Sequence, residues 1–234
     1  MTSQEMYIRV TNDLQAIGAQ RSRKYYPEQI ELELNTETEN LVDGAMLSSN
    51  RGFYSVDARY ANAIQPLTKT VKLAVYTDGE QEFYSEPPTD CRYILEVSAV
   101  PGSLCRGLLS TDYTIVTGKK QMNASTVKSI PTRRVGTDLT LAIPTTAFYK
   151  ANHVEIPVAL LTNKIQLITG ENCIVNHTFL TYVRNPVKIN LLLSTGSDLA
   201  PSCHGLICDR AVQRIRERIG DPKFQSGIIQ ESKL

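Results

Sequence analysis

Cys203 and His204 are neighbours, and a thiol beside an imidazole is the pairing that a nucleophile and its base require. Adjacent side chains on a helix diverge by about 100°, so this pair is not expected to form a hydrogen-bonded dyad. The other two histidines, His153 and His177, fall in strand-like runs and read as structural. Five cysteines, at 91, 105, 173, 203 and 208, make no CxxC pair. Neither a disulfide framework nor a zinc site is suggested, and buried reduced thiols are expected. Gly118-Lys119-Lys120 lacks the earlier glycine and the following hydroxyl of a phosphate loop. No GxSxG elbow and no HExxH run occurs, and the carboxylates are scattered. The expectation is a non-enzymatic chain with no catalytic residue, no cofactor and no metal. Asn123-Ala124-Ser125 and Asn176-His177-Thr178 fit the glycosylation pattern. They carry no weight, because MTSQEMYIRV lacks the basic and apolar regions of a signal peptide.

Basic residues cluster locally at Arg21/Arg23/Lys24, Lys119/Lys120, Arg133/Arg134 and Arg210/Arg214/Arg216/Arg218. A solvated surface is the default reading of each. The alternative is a ring whose copies pool such patches around a channel, touching phosphates without regard to sequence. The net charge of +1 over 234 residues gives no global reason for nucleic-acid or membrane binding. No apolar run approaches the roughly 18–20 residues of a membrane span.

The elements that position these residues follow from periodicity. Residues 200–220 carry Cys208, Ala211, Val212, Ile215 and Ile219 on one side of a helix and Arg210, Gln213, Arg214 and Glu217 on the other. Ser202 or Asp198 can cap its start, and Gly220 with Pro222 ends it. Thr2-Ser3-Gln4-Glu5 is a capping box before a stripe of Met6, Val10, Leu14 and Ile17, stopped by Gly18. Pro27 opens a second helix with Glu28 near its positive end and a stripe of Ile30, Leu34, Leu41 and Ala45. Leu32 points away from that stripe; it is either a partner contact or one of the incidental exposed leucines that surfaces carry.

Residues 53–67 are ambiguous, with Val56, Tyr60, Ala63 and Leu67 fitting a short helix. Residues 71–76 alternate as a strand, and 77–80 form a hairpin turn into 81–85. The run after Pro87-Pro88 starts a strand or a short helix. Further strands are expected at 113–116, 126–130, 137–142, 153–161, 164–169, 173–183 and 187–193, with antiparallel pairing. The fold expected is α+β: N- and C-terminal helices packed as a helical bundle, with a large antiparallel β insert. Its domains are 1–67 plus 199–220, 68–198, and an extended tail at 221–234. Phe224, Ile228 and Ile229 make that tail a candidate docking segment, against the plainer reading of a frayed terminus.

Four stretches, taken in order, resemble the ring (adaptor) proteins of the head-to-tail connector in crAss-like and related short-tailed bacteriophages. The N-terminal helix, basic linker and PEQIELELNTETENLV are similar to that family's proline–acidic–Ile second helix. Residues 56–67 followed by PPTDCRYIL resemble its entry to the β region, with Cys91 where tyrosine is usual. LTYVRNPVKI is similar to its tyrosine–basic–proline strand end. APSCHGLICDRAVQRIRERIGDPKFQ resembles its final helix, although Asp198-Leu199-Ala200-Pro201 is less acidic around the proline. The resemblance implies a virion protein without enzymatic activity, assembled in the bacterial host cytoplasm as a dodecameric ring beneath the portal. Its partners would be itself, the portal, an adjacent tail or second ring protein, and the passing genome, without a membrane. Arg21, Arg23 and Lys24 are candidate portal or channel contacts. The alternative is another tail, stopper or tail-tube protein, and less so a soluble enzyme.

Overall fold

A computed structural model describes residues 1–16, 25–48, 53–78, 82–104, 113–122, 130–135, 156–169 and 173–219. The chain is α+β. It divides into two compact units, one made of Met1–Met46, Val56–Leu67 and the described part of Pro186–Leu234, the other of Leu47–Ser55 and Thr68–Asn185. Residues 186–198, expected with the strands, therefore belong with the helices.

The first unit holds helices α1 (Ser3–Ala16), α2 (Pro27–Gly44), the short α3 (Ala61–Ile64) and α4 (His204–Ile219). α1 starts on the expected box: Thr2 N donates to Glu5 Oε2 (2.8 Å), and Glu5 N to Thr2 Oγ1 (3.2 Å). Its stripe of Met6, Val10 and Leu14 is fully buried. Ile30, Leu34, Leu41 and Val42 of α2 and Ile207, Cys208, Ala211, Val212 and Ile215 of α4 are buried as well. α4 packs against both α1 and α2. Cys208 Sγ lies 3.9 Å from the Met6 carbonyl, and Arg9 pairs with Asp209 at 2.8 Å.

Two expectations for α4 are corrected. Neither Ser202 nor Asp198 caps it. A single 3-10 turn at Pro201–Cys203 leads in, and the Asp198 carboxylate instead accepts from Val187 N at 3.1 Å. Arg214 is not on a solvated face. Its Nη1 reaches Glu37 Oε1 at 2.7 Å, its Nε lies 3.5 Å from Glu33 Oε2, and Arg218 also pairs with Glu33. The Glu33 side chain is only 4% exposed, so two arginines neutralise what would be a buried charge. The Glu37 contact, ahead of burial, holds the Arg214 guanidinium above its ordinary pKa.

Among the described residues the second unit is a sheet of ten strands: β3 (Thr68–Ala74), β4 (Tyr76–Thr77), β5 (Glu82–Ser85), β6 (Cys91–Leu104), β7 (Tyr113–Val116), β8 (Lys119–Met122), β9 (Ile130–Val135), β10 (Ile156–Leu160), β11 (Ile165–Ile168) and β12 (Cys173–Arg184). They run in the order β3-β12-β6-β9-β10-β11-β5-β4-β8-β7. β1 (Met46–Ser48) and β2 (Tyr54–Val56) form a separate ladder. Within the ten-stranded sheet, among the described residues, the pairing is antiparallel except for β9 with β10, which is parallel. The sheet folds back on itself: buried Ser85 and Thr178, on the non-neighbouring strands β5 and β12, share a hydrogen bond of 2.9 Å. Phe83, Val97, Ile156, Val158, Ile165, Leu167, Leu180 and Tyr182 fill the interior.

Two strand expectations change. Residues 187–193 are not a strand; only an isolated bridge joins Asn190 to Thr195. Residues 137–142 and most of 126–130 lie outside the described set. β8 was not anticipated, because Lys-Lys-Gln-Met lacks β-branched or aromatic residues. Its partner is fixed by a two-residue turn in which Thr117 (φ 50°) and Gly118 (φ 78°) are both left-handed.

Asp90 ties off the sheet. It accepts from Tyr182 Oη at 2.9 Å, lies 3.4 Å from Lys69 Nζ, and its carbonyl accepts from Asn185 N at 2.8 Å. Burial opposes ionisation, but the hydroxyl and ammonium contacts outweigh it and hold Asp90 below the usual carboxylate value. Burial, reinforced by Asp90, pushes Tyr182 up to about 12.

Replacing Arg214 by Met leaves Glu37 without its guanidinium. The expected loss is about 2–3 kcal/mol, below the about 3–5 for a fully enclosed pair, because Arg218 still serves Glu33. Urea unfolding measures it, and Arg214→Met/Glu37→Gln should recover part of the loss. His177 is 6% exposed with its ring edge on Phe179. Burial, with Lys72 second, lowers its pKa below 6.5. The unfolded chain therefore binds the proton more readily, and stability falls as pH drops from about 6.5 towards the folded-state value. His177→Phe should flatten that part of a Tm-versus-pH profile.

Candidate assembly surface

Among the described residues no group of three His, Cys, Asp or Glu side chains can hold a metal ion, and no helix is long and apolar enough to cross a membrane. His204 Nε2 donates to the Leu199 carbonyl (3.0 Å) and its Nδ1 accepts from the Met1 nitrogen (2.9 Å). Cys203 Sγ lies 3.8 Å from Ser202 Oγ, so the neighbouring thiol and imidazole make no dyad. Burial pushes Cys91 and Cys208 up to about 11, which leaves both as thiols at neutral pH. His204 and Cys208 tie α4 to Met1, Leu199 and Met6. The unusual chemistry lies on the surface.

α2 carries six acidic residues and no basic one. Glu33 and Glu37 turn inward to Arg214 and Arg218. Glu31 and Asn35, on an adjoining edge of the helix, hold the segment that follows the sheet. Asn35 Oδ1 accepts from Ile189 N at 2.7 Å while its Nδ2 donates to Ile189 O at 3.0 Å. Glu31 Oε2 accepts from Leu191 N at 2.9 Å. Beyond these clamps the chain reverses. Asn190 and Thr195 exchange backbone hydrogen bonds of 3.0 and 2.9 Å, Asn190 Oδ1 accepts from Leu193 N at 2.8 Å, and Ser194 adopts φ 53°.

The tip so constrained is Leu191-Leu192-Leu193-Ser194. Turn tips ordinarily carry Gly, Asn, Asp, Pro or Ser. Here Leu192 is 91% and Leu193 77% exposed, and Val187 is exposed nearby in sequence. Exposed leucines taken singly mean little. Two at the tip of a turn held by three side-chain hydrogen bonds from α2 form a pre-ordered apolar knob, and ordering before contact lowers the entropy cost of binding. Full burial of both is worth about 3–6 kcal/mol. Leu32, singled out from the sequence, is 58% exposed on α2.

A second exposed apolar feature belongs to the other unit. Every residue from 114 to 120 in the β7–β8 hairpin is exposed, including Ile115, Val116, Lys119 and Lys120. Lys119 also pairs with Glu86, which holds its pKa above the usual value.

Arg21, Arg23 and Lys24, and Phe224, Ile228 and Ile229 of the tail, lie outside the described residues. The sequence reading missed Leu192 and Leu193 because a run of apolar residues after a strand-like segment looks like another strand. The available signal was the flanking Asn190 and Ser194-Thr195-Gly196, which are turn formers on both sides of the leucines.

The chain matches no protein-family model and no curated protein sequence.

Asn35→Ala removes both hydrogen bonds to Ile189, at an expected cost of about 1–3 kcal/mol. Hydrogen exchange should report it locally, with faster exchange at the Ile189 and Leu191 amides and unchanged protection in β6 and β12.

Proposed function

We propose that this protein is a structural subunit of a bacteriophage particle. Copies of it would form a ring beneath the portal in the head-to-tail connector and line part of the passage for the genome. The observation that carries the reading is the Leu192–Leu193 turn, an apolar tip that is clamped rather than flexible. The resemblance of four ordered stretches to connector ring proteins supplies the setting. Two pairs of those stretches also touch in the fold. The second helix meets the last helix through Glu37 and Arg214, and PPTDC meets LTYVRNP through Asp90 and Tyr182.

A ring subunit needs complementary patches for its neighbours and a surface that lets DNA pass. A net charge of +1 suits passage better than retention. The remaining partners in this reading are the portal above and a tail or second ring protein below. Arg21, Arg23 and Lys24 would face the portal or channel, and the tail carrying Phe224, Ile228 and Ile229 would dock on a neighbour. Assembly would occur in the bacterial host cytoplasm, and the mature location would be the virion.

The test is Leu192→Ser/Leu193→Ser. Both side chains are exposed, so the purified variant should keep its Tm and its stability within about 0.5 kcal/mol. Particles made with it should lack the protein or contain it in much reduced amount, as read by mass spectrometry of purified virions. Normal incorporation with normal DNA delivery overturns the reading.

A further inference from the structure

α1 and α4 leave an open groove of about 250 Å³ between them, lined by Asp13, Ala16, Asp209, Val212, Gln213 and Arg216. Its charged groups are unevenly satisfied. Asp13 and Asp209 share Arg9, at 3.9 and 2.8 Å. Arg216 has no ion pair among the described residues, and its Nε is buried without a hydrogen-bond acceptor. A guanidinium N–H shut off from water is costly to leave unpaired, so the groove asks for an acceptor, a carboxylate best of all. Val212 and Ala16 add an apolar lining. A dry cavity of on the order of 150 Å³ holds a benzene ring, so the groove has room for a phenyl side chain.

The sequence beyond α4 supplies both groups in the right order. α4 ends at Ile219, one turn past Arg216. Gly220-Asp221-Pro222-Lys223-Phe224 follows. Proline at 222 bars the helix from running on. A glycine just past a helix commonly reverses the chain and returns a following apolar residue to the last turns. The five residues from Ile219 to Phe224 reach at most about 18 Å, and Val212 lies only about 10 Å back along the helix. Asp221 is the nearest carboxylate after Arg216 on that path apart from Glu217, the next residue of the helix itself, and Phe224 is the one aromatic residue after α4.

We infer that the segment after α4 folds back along its own helix, with the Asp221 carboxylate on the Arg216 guanidinium and the Phe224 ring in the groove. Three observations select this occupant over a separate molecule: an unpaired cation facing a sequence that brings an anion, a cavity of phenyl size, and a tether short enough to reach it. Attachment also gives the segment an effective concentration in the millimolar range, which a free partner must exceed. Ile228 and Ile229 lie further along and stay available to a neighbour. The inference does not depend on the ring reading, because it concerns one chain alone.

The experiment is limited trypsin digestion of the purified full chain across a wide concentration range, with cleavage after Lys223 read by mass spectrometry. Each rate is divided by that of a synthetic peptide of the same sequence around residue 223, which removes the effect of the substitution on trypsin itself. Wild type should be cut roughly tenfold more slowly than its peptide, since cleavage tracks the open fraction. Phe224→Ser and Arg216→Glu should each remove most of that protection. Arg216→Glu/Asp221→Arg should restore it to within about threefold of wild type. Wild type cut as fast as its peptide, or protection that these variants leave unchanged, overturns the inference. So does a charge reversal that restores nothing. Protection that rises with protein concentration puts the segment on a second copy; that overturns the in-chain contact and leaves the ring reading standing.

Discussion

Glu33 and Glu37 sit on a helix near the start of the chain, and the arginines that neutralise them sit on a helix near residue 214. Two carboxylates less than a tenth exposed cannot remain there without cationic partners, since an uncompensated buried charge costs several kcal/mol. The apolar stripes of α1, α2 and α4 supply the driving force for their union, and the ion pairs fix which turn of one helix meets which turn of another. Everything built on α2 inherits that placement, including the clamps that Glu31 and Asn35 put on the loop before α4. The helix thus divides its labour by face. One side holds the core, one neutralises the last helix, one shapes a loop, and one is left to solvent.

The second unit uses a different device for the same end. Its long strands β6 and β12 lie side by side, and the bulges in their register let β12 bend across the interior. Asp90 and Tyr182 close the place where chain enters and leaves, with a hydroxyl kept protonated beside an ionised carboxylate. Among the described residues the parallel pairing of β9 with β10 is the one break in an otherwise antiparallel sheet.

α1 and α2 were legible in the sequence because three features agreed at each: a cap or proline at the start, a stripe at 3.6-residue spacing, and polar residues on the far side; α4 was legible from its stripe, although the caps expected for it do not form. The antiparallel pairing on either side of residues 78–81 was legible as well, with Tyr76 opposite Tyr84 and Thr77 opposite Phe83. What failed is equally physical. Arg214 follows the polar side of its wheel, and nothing local reveals that two carboxylates 177 and 181 positions earlier wait for it. β8 has the composition of a surface coil and is a strand only because Thr117-Gly118 returns it to β7. Residues 187–193 bond much of their backbone to side chains in place of a ladder, Ile189 and Leu191 to Asn35 and Glu31 of α2, Val187 to Asp198 and Leu193 to Asn190, a substitution that apolar patterning cannot show. The knob was hidden for the same reason. An apolar side chain left at the surface and one bound for the interior look alike in one dimension.

The clamped turn has a consequence for timing. Its two fasteners belong to a helix made early, while the turn itself is made late, with about 160 residues between Gly44 and His204. At about 5–20 residues per second on a ribosome, roughly 10–30 s pass before the first two helices receive their counterpart. During that interval no nascent chain possesses the finished knob. The turn takes shape only when Ile189 and Leu191 reach Asn35 and Glu31, long after those side chains have been made.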